Sequence, residues 1–423
     1  MISFDHIDRR YREARRSYDL SVPDQFNFGF DVVDARAREA DKTALIAIDQ
    51  AGAREDVSYG DLSRRSAQFA KALMGLGMKR GDAACVIMGR QPEWHVALLG
   101  CMNAGVISMP GTTQLTAKDI AYRIAQSGAV AAIVSQAHVE KIEAIRDICP
   151  TLKHLIVLGT PPLGWHGFTS LLADQDPVLE PATLPPFRST DTMMIYFTSG
   201  TTALPKMVPR DHGYGLDHAA TGLFWMDLSE DDIHWTLTDT GWAKAAWGML
   251  FPQMLLGVTT VLYDAPGFDA KAHLQLIEDL RITSFCAPPT VYRLLAQTDL
   301  GRHDLTSLKR CLSSGEPLNP AVIRHWETHT GTVIADGYGQ TECINLVGNF
   351  PGEPVRIGSM GKPVPGFDVD VVDEAGARLP DDVAGHIAVR LTQPWPPGLF
   401  RGYLRAGAEI ADAFRNGWYY TGD

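Results

Sequence analysis

The sequence predicts an α/β protein: two mostly parallel α/β subdomains followed by a small β-barrel-like subdomain. Three observations carry this reading. Helical spacing alternates with short apolar runs from Asp61 to Leu158, the same alternation resumes from Met193 to Ala335, and after Pro351 the apolar period changes to two.

In the first series, Asp61 to Leu76 has helical spacing, Ala84 to Met88 reads as a strand, Pro92 to Asn103 as a helix and Val106 to Met109 as a strand. Thr116 to Gln126 is helical, Val130 to Val134 extended, Val139 to Ile148 helical and His154 to Leu158 extended, a succession of βαβ units. Pro177, Pro181, Pro185 and Pro186 then interrupt regular structure between Asp174 and Thr190 and mark a boundary. The second series offers strands at Met193–Phe197, Ile233–Leu237, Val258–Leu262, Ser284–Ala287, Lys309–Leu312 and Val333–Ala335. Finally Phe367 to Val372 alternates at period two, Asp373 to Gly376 has hairpin-turn composition, and Gly385 to Leu391 supplies a partner strand. The expected units are residues 1–180, 190–350 and 351–423.

A chain of 423 residues, 45% hydrophobic and 21% charged, is long enough for substantial cores. Its formal net charge of −12 argues against nucleic acid or an anionic membrane as a partner. Six cysteines, none in a CxxC pair, suggest reduced, buried thiols rather than a disulfide framework or zinc ribbon. The first residues pass quickly into Arg9, Arg10 and Arg12 without an apolar run, so a cytoplasmic location is expected. Ala245 to Tyr263 carries no charge and reaches the length of a membrane span. Pro252, Gln253 and Gly257 divide it, however, into a helix-like half and a β-branched half, Val258 to Leu262, which fits a buried helix and strand rather than a span.

The most informative stretch is the apolar run Met193 to Phe197, followed by Thr198, Ser199, Gly200, Thr201, Thr202, Ala203, Leu204, Pro205 and Lys206 and then a helix-like segment. Hydroxyls and backbone N–H groups can cradle phosphate oxygens, Lys206 adds positive charge, and Gly200 permits a tight backbone. It is not a Walker A loop, which needs GxxxxGK[ST]. The stretch resembles the signature loop of the adenylate-forming superfamily of acyl-CoA synthetases, luciferases and peptide-synthetase adenylation domains, with Ala203 where that family usually has glycine.

Three further motifs resemble that family in its order. Asp336, Gly337, Tyr338, Gly339, Gln340, Thr341 and Glu342 follow a strand candidate, and the resemblance implies Tyr338 on adenine, Thr341 at the α-phosphate and Glu342 on magnesium. Gly315, Glu316 and Pro317 resemble the segment lining adenine and ribose. Tyr420 to Asp423 resembles the motif whose aspartate receives both ribose hydroxyls. Asp239 to Lys244, with Met207 after the loop lysine, is similar to medium-chain and aromatic acyl-CoA synthetases, which implies Trp242 and Gly339 at an acyl pocket; the alternative for Trp242 is a core aromatic. The resemblance covers essentially the whole chain.

What the resemblance implies is ATP-dependent activation of a carboxylic acid to an acyl-adenylate with Mg2+, followed by thioester formation with coenzyme A, Thr198, Lys206, Thr341 and Glu342 being the catalytic set. It also implies a mobile C-terminal domain beyond Asp423, so that the 423-residue chain alone is expected to bind ligands but adenylate poorly. Two alternatives stay open here: a binding module without turnover, and an adenylating enzyme that serves a carrier protein. A serine hydrolase lacks its GxSxG, His325 and His329 are not an HExxH pair, and no GxGxxG sits at a first strand. The sequence leaves the acid and the oligomeric state unassigned.

Overall fold

Alternate residues of the central strands enter different cores, and this regularity sets the layers. The computed structural model describes residues 10–39, 42–198, 204–265, 267–405, 408–410 and 413–423. In the strand Ala83–Ile87, Ala84 and Val86 face one core while Ala83, Cys85 and Ile87 face a second. In Ser284–Cys286, Cys286 joins that first core and Phe285 a third. The shared core holds Leu62, Phe69 and Leu73 of the helix Tyr59–Gly75, Val96 to Leu99 of Pro92–Ala104, and Leu216 and Ala219 of His212–Thr221. Ile120 and Ile124 of the helix Ala117–Ser127 cover the far face of one sheet, and Leu274, Tyr292 and Trp326 that of the other. The result is five layers, with two sheets sharing a helical middle.

Among the described residues each large sheet has nine strands. In the first, Thr192–Thr198, Ile107–Pro110, Ala83–Ile87, Ala131–Ser135 and His154–Leu158 lie parallel in that order, and Lys206–Asp211 adds an antiparallel neighbour to Thr192–Thr198. In the second, Thr43–Ile48, Thr259–Tyr263, Ile233–Thr236, Ser284–Cys286, Arg310–Ser314 and Ile334–Gly339 are parallel in spatial order. A small antiparallel sheet of four strands, Val369–Val372, His386–Arg390, Trp418–Tyr420 and Phe414–Arg415, completes the α/β plus β architecture.

The sheets do not divide along the chain at residues 180–190. Thr43–Ile48 and Arg54–Ser58 precede that point yet extend the second sheet; Thr192–Thr198 and Lys206–Asp211 follow it yet complete the first. Beyond residue 351, Lys362–Pro363 pairs into the second sheet and Tyr403–Arg405 into the first. Local pattern determines that a strand forms, whereas its neighbour is chosen by packing.

Helix ends follow local chemistry. Ser58 with Asp61, and Thr116 with Asp119, form capping boxes, and Gly105 and Gly128 close their helices in the left-handed region. The uncharged run from Ala245 is helical to Leu256, through a π turn at Ala246–Leu250, ends on Gly257 at φ 72°, and continues as the strand Thr259–Tyr263. Among the described residues no helix is long and apolar enough to cross a membrane. All six cysteines are buried free thiols.

The carboxyl ends of the two sheets meet where residues 237–243 pack on residues 111–114. Asp239 accepts hydrogen bonds from Thr113 Oγ1 (2.7 Å) and from the Gly241 N–H (2.9 Å), Thr240 Oγ1 donates to the Met88 carbonyl (2.5 Å), and Arg90 Nε donates to the Thr238 carbonyl (2.7 Å). A β-carbon on Gly241 would overlap the backbone of Gly111 and Thr112. Gly241→Ala is therefore expected to destabilise the protein by about 1–3 kcal/mol, as overpacking does. A urea unfolding midpoint equal to wild type would show that the two backbones do not meet.

Candidate active site

Ligands of open α/β sheets bind at the carboxyl ends of strands, and here a cavity of about 830 Å³ lies at those ends. It is lined by Leu237 to Asp239 after the strand Ile233–Thr236, by Pro288 after Ser284–Cys286, by Ser314 to Glu316 at the end of Arg310–Ser314, and by Gly339 to Thr341 at the end of Ile334–Gly339. Arg90 and Gln114 reach it from the first sheet.

Gly315, Glu316, Gly339, Thr341 and Trp242 are thus brought to one cavity. Gly315 adopts φ 109°, a conformation that disfavours any side chain. Glu316 is paired with Arg293 (3.3 Å), and Pro317 is exposed, outside the cavity lining. Trp242 is 55% exposed, so its indole is a cavity wall and not a core aromatic. At Gly339 a β-carbon would lie 2.5 Å from the Ile344 carbonyl oxygen, which makes glycine obligatory where the strand turns into the Thr341–Glu342 bend.

The motif from Asp336 begins inside a strand, because Ile334–Gly339 runs four residues past the expected end at Ala335. Asp336 is pushed up to about 6 by burial, with the Gly337 N–H and Lys244 pulling it back. Its carbonyl accepts from Trp225 Nε1 and Asn349 Nδ2, and Gly337 packs directly on the Trp225 ring. These two residues therefore support the strand from behind the cavity.

Tyr338 and Asp423 come together. Asp423 Oδ2 accepts from Tyr338 Oη (2.5 Å) and Gln340 Nε2 (2.8 Å), while Gln340 also donates to the Thr421 carbonyl and accepts from Tyr419 Oη at 3.0 Å. Burial and this contact with Asp423 raise the Tyr338 phenol, so it is a neutral donor. Gln340, at the cavity, connects this pair to Thr341.

Thr198 and Lys206 are paired across a hairpin, since Lys206–Asp211 is an antiparallel strand and the helix begins only at His212. The helix-like segment expected directly after the loop is corrected accordingly: Met207, Val208 and Arg210 satisfy sheet packing first. Ser199, Gly200, Thr201, Thr202 and Ala203 lie outside the described residues. Lys206 Nζ sits 4.5 Å from the Tyr403 ring centre, and Tyr403 Oη donates to Glu342 Oε1 at 2.8 Å.

Glu342 is only 6% exposed. Burial raises its pKa, and the Tyr403 hydrogen bond, Arg210 and Lys206 lower it again. Its carbonyl accepts from Arg210 Nη1 (3.0 Å) and the Phe400 N–H (2.8 Å). Arg210, 2% exposed, also donates to the Gly398 carbonyl and lies 3.7 Å from the Tyr214 ring centre. Arg210 and Tyr403 had no motif to announce them, whereas Gln340 and Lys244 lay inside motifs without a role assigned to either. Lys244 had a local signal besides, as the last charge before the uncharged run.

His325 and His329 are neighbours on an exposed helix face, and no group of three metal-binding side chains occurs among the described residues.

The AMP-binding enzyme family matches residues 33–404. Among curated relatives, acyl-coenzyme A synthetase ACSM3, mitochondrial, of Mus musculus is 37% identical over 422 residues, covering 98% of this chain and 72% of that protein. Acyl-coenzyme A synthetase ACSM5, mitochondrial, of Rattus norvegicus is 39% identical over 412 residues, covering 95% and 70%. Those names place the relatives in mitochondria, whereas the sequence reading expects a cytoplasmic chain. Among solved structures, the acyl-CoA synthetase of Brucella canis superposes with a TM-score of 0.89 at 30% identity, covering 98% of this chain and 77% of that one. An anthranilate CoA ligase, AuaEII, in complex with anthranoyl-AMP gives 0.86 at 29% identity, covering 95% and 76%. Agreement of family match, relatives and fold over nearly the whole length means that this chain belongs to the AMP-binding, adenylate-forming enzymes and, within them, to the acyl-CoA synthetases.

Proposed function

We propose that the cavity at the strand ends is where this synthetase joins its acid to the adenylyl group of ATP and then passes the acyl group to coenzyme A. One observation carries the reading: residues of the nucleotide motifs (Gly315, Glu316, Thr341) and residues of the expected acyl wall (Trp242, Gly339) line the same cavity. A carboxylate oxygen forms a bond to the α-phosphorus as the bond to pyrophosphate breaks. The coenzyme A thiol then takes the acyl carbon and AMP leaves.

Two anions must meet in the first step, so charge compensation dominates its barrier. Lys206 supplies one cation. Glu342 suits magnesium carried by the phosphates, since that ion is usually held by one or two carboxylates and not by a protein cage. It would neutralise phosphate charge there. The Tyr403 hydrogen bond keeps Glu342 oriented and more acidic than burial alone would leave it. Asp423, already held by Tyr338 and Gln340, retains acceptor capacity for ribose hydroxyls.

ATP–pyrophosphate exchange by the full-length protein across a panel of carboxylic acids tests the reading, and no exchange with any acid would sink it. Glu342→Gln is expected to lower exchange with every accepted acid by about 100-fold, the scale for losing one preorganised electrostatic group. Tyr403→Phe removes a charge-assisted hydrogen bond worth about 1.5–3 kcal/mol. It is expected to raise the Mg2+ concentration for half-maximal exchange roughly tenfold. It also raises the Glu342 pKa, so the acid limb of the pH profile should move to higher pH; an unmoved limb would detach Tyr403 from Glu342. Trp242→Ala should leave the unfolding free energy from urea titration within about 0.5 kcal/mol of wild type, as exposed positions do, and reorder the acids accepted.

A further inference from the structure

Lys244 follows Trp242 by two residues and starts the helix that widens into the π turn Ala246–Leu250. It is half-buried in the cavity wall, between Ser314 and Trp247. Its Nζ donates to the Ser314 carbonyl at 3.2 Å and lies 5.4 Å from the Trp247 ring centre. Among the described residues no carboxylate comes within ion-pair distance of it. Asp336 acts only from farther away. The cavity's two acidic groups are committed elsewhere: Asp239 to Thr113 and Gly241, and Glu316 to Arg293.

An ammonium has three donors, and one carbonyl uses one of them. Withdrawing such a charge from water is costly unless a partner compensates it. Burial accordingly lowers the Lys244 pKa. An indole face repays part of that cost but gives no directed acceptor. Leu237, Trp242, Ala243, Pro288 and Val291 supply apolar surface to the cavity, beside polar groups such as Arg90, Gln114 and His273. A plain alkyl chain would leave the ammonium desolvated and unpaired, whereas an acid with a second oxygen acceptor would pair it.

Resting on the acid-activation reading above, we propose that Lys244 is a specificity-determining residue and that this synthetase takes carboxylic acids carrying a second oxygen acceptor, a hydroxyl, oxo or carboxylate group, in preference to unsubstituted alkanoates of equal length. A site built to hydrogen-bond such a group rejects the analogue lacking it strongly, because the site's own polar atom is then left unpaired.

The test is ATP–pyrophosphate exchange by the full-length protein with matched sets of acids: plain alkanoates and their hydroxy, oxo and dicarboxylic counterparts. Wild type is expected to favour at least one substituted class by tenfold or more in kcat/KM. Lys244→Met should abolish or invert that ratio, and Lys244→Arg should keep its direction. Equal use of plain and substituted acids by wild type would overturn the proposal, as would a Lys244→Met variant that loses all acids in parallel. A preference that persists in Lys244→Met would transfer the role to another cavity group such as Arg90. A raised KM for ATP with the acid order intact would make Lys244 a phosphate contact instead. Exchange with no acid at all would overturn acid activation itself. In that event, calorimetric titration of the same acids into wild type and Lys244→Met, with AMP present, still decides whether the lysine discriminates among them.

Discussion

The close approach of Gly241 to the backbone of Gly111 and Thr112 is the constraint on which the site depends. The two sheets already share the helices packed between them. Only contact between their carboxyl ends closes a cavity to which Arg90 and Gln114 of one sheet and Trp242, Ser314 and Thr341 of the other all contribute. Asp239 consolidates the contact by accepting from both sides of it, from Thr113 and from Gly241. A side chain at position 241 would press the two sheets apart at the edge of that cavity.

A second constraint holds the carboxylate of Glu342. Arg210 is buried, bonded to two carbonyls and packed on Tyr214, so it fixes backbone instead of neutralising an ion-pair partner directly. Through the Glu342 and Gly398 carbonyls it ties the strand Lys206–Asp211 to the bend after Gly339 and to the segment leading to Tyr403. The Gly398 N–H in turn donates to Asp217, whose carboxyl burial pushes up to about 7 while that hydrogen bond and Arg210 draw it back. Lys206, Tyr403 and Glu342 are consequently presented as a unit, although 197 positions separate the first from the last in the sequence.

Electrostatics then distinguish two parts of the cavity region. Around Glu342, a phenol and two nearby cations favour a buried anion. Around Lys244 the arrangement differs: a half-buried cation has one carbonyl for a hydrogen-bond partner and, among the described residues, no carboxylate within ion-pair distance. Under the proposed function the first arrangement serves acid activation, and under the role proposed for Lys244 the second serves the choice of acid.

Elements with strong local patterns were legible in the sequence. The helices beginning near Tyr59, Pro92 and Ala117, the parallel strands between Ala83 and Leu158, and the division of the uncharged run at Gly257 all follow from periodicity, caps and breakers. The runs that resemble the AMP-binding family could be recognised too, because each is short and contiguous. Sheet membership could not be read that way. Thr43–Ile48 joins the second sheet and Thr192–Thr198 the first because burial of both strand faces, and not proximity in the chain, selects the neighbour. Nor could the hairpin that pairs Thr198 with Lys206 be foreseen, nor Tyr403 against Glu342, nor the Ser314 carbonyl against Lys244. By itself the sequence determined the layers' components and the class of reaction, because those reside in local pattern and contiguous motif. Which side chains share a charge, and which line one cavity, were decided by the tertiary structure, because Coulomb and hydrogen-bond energies depend on distance in space.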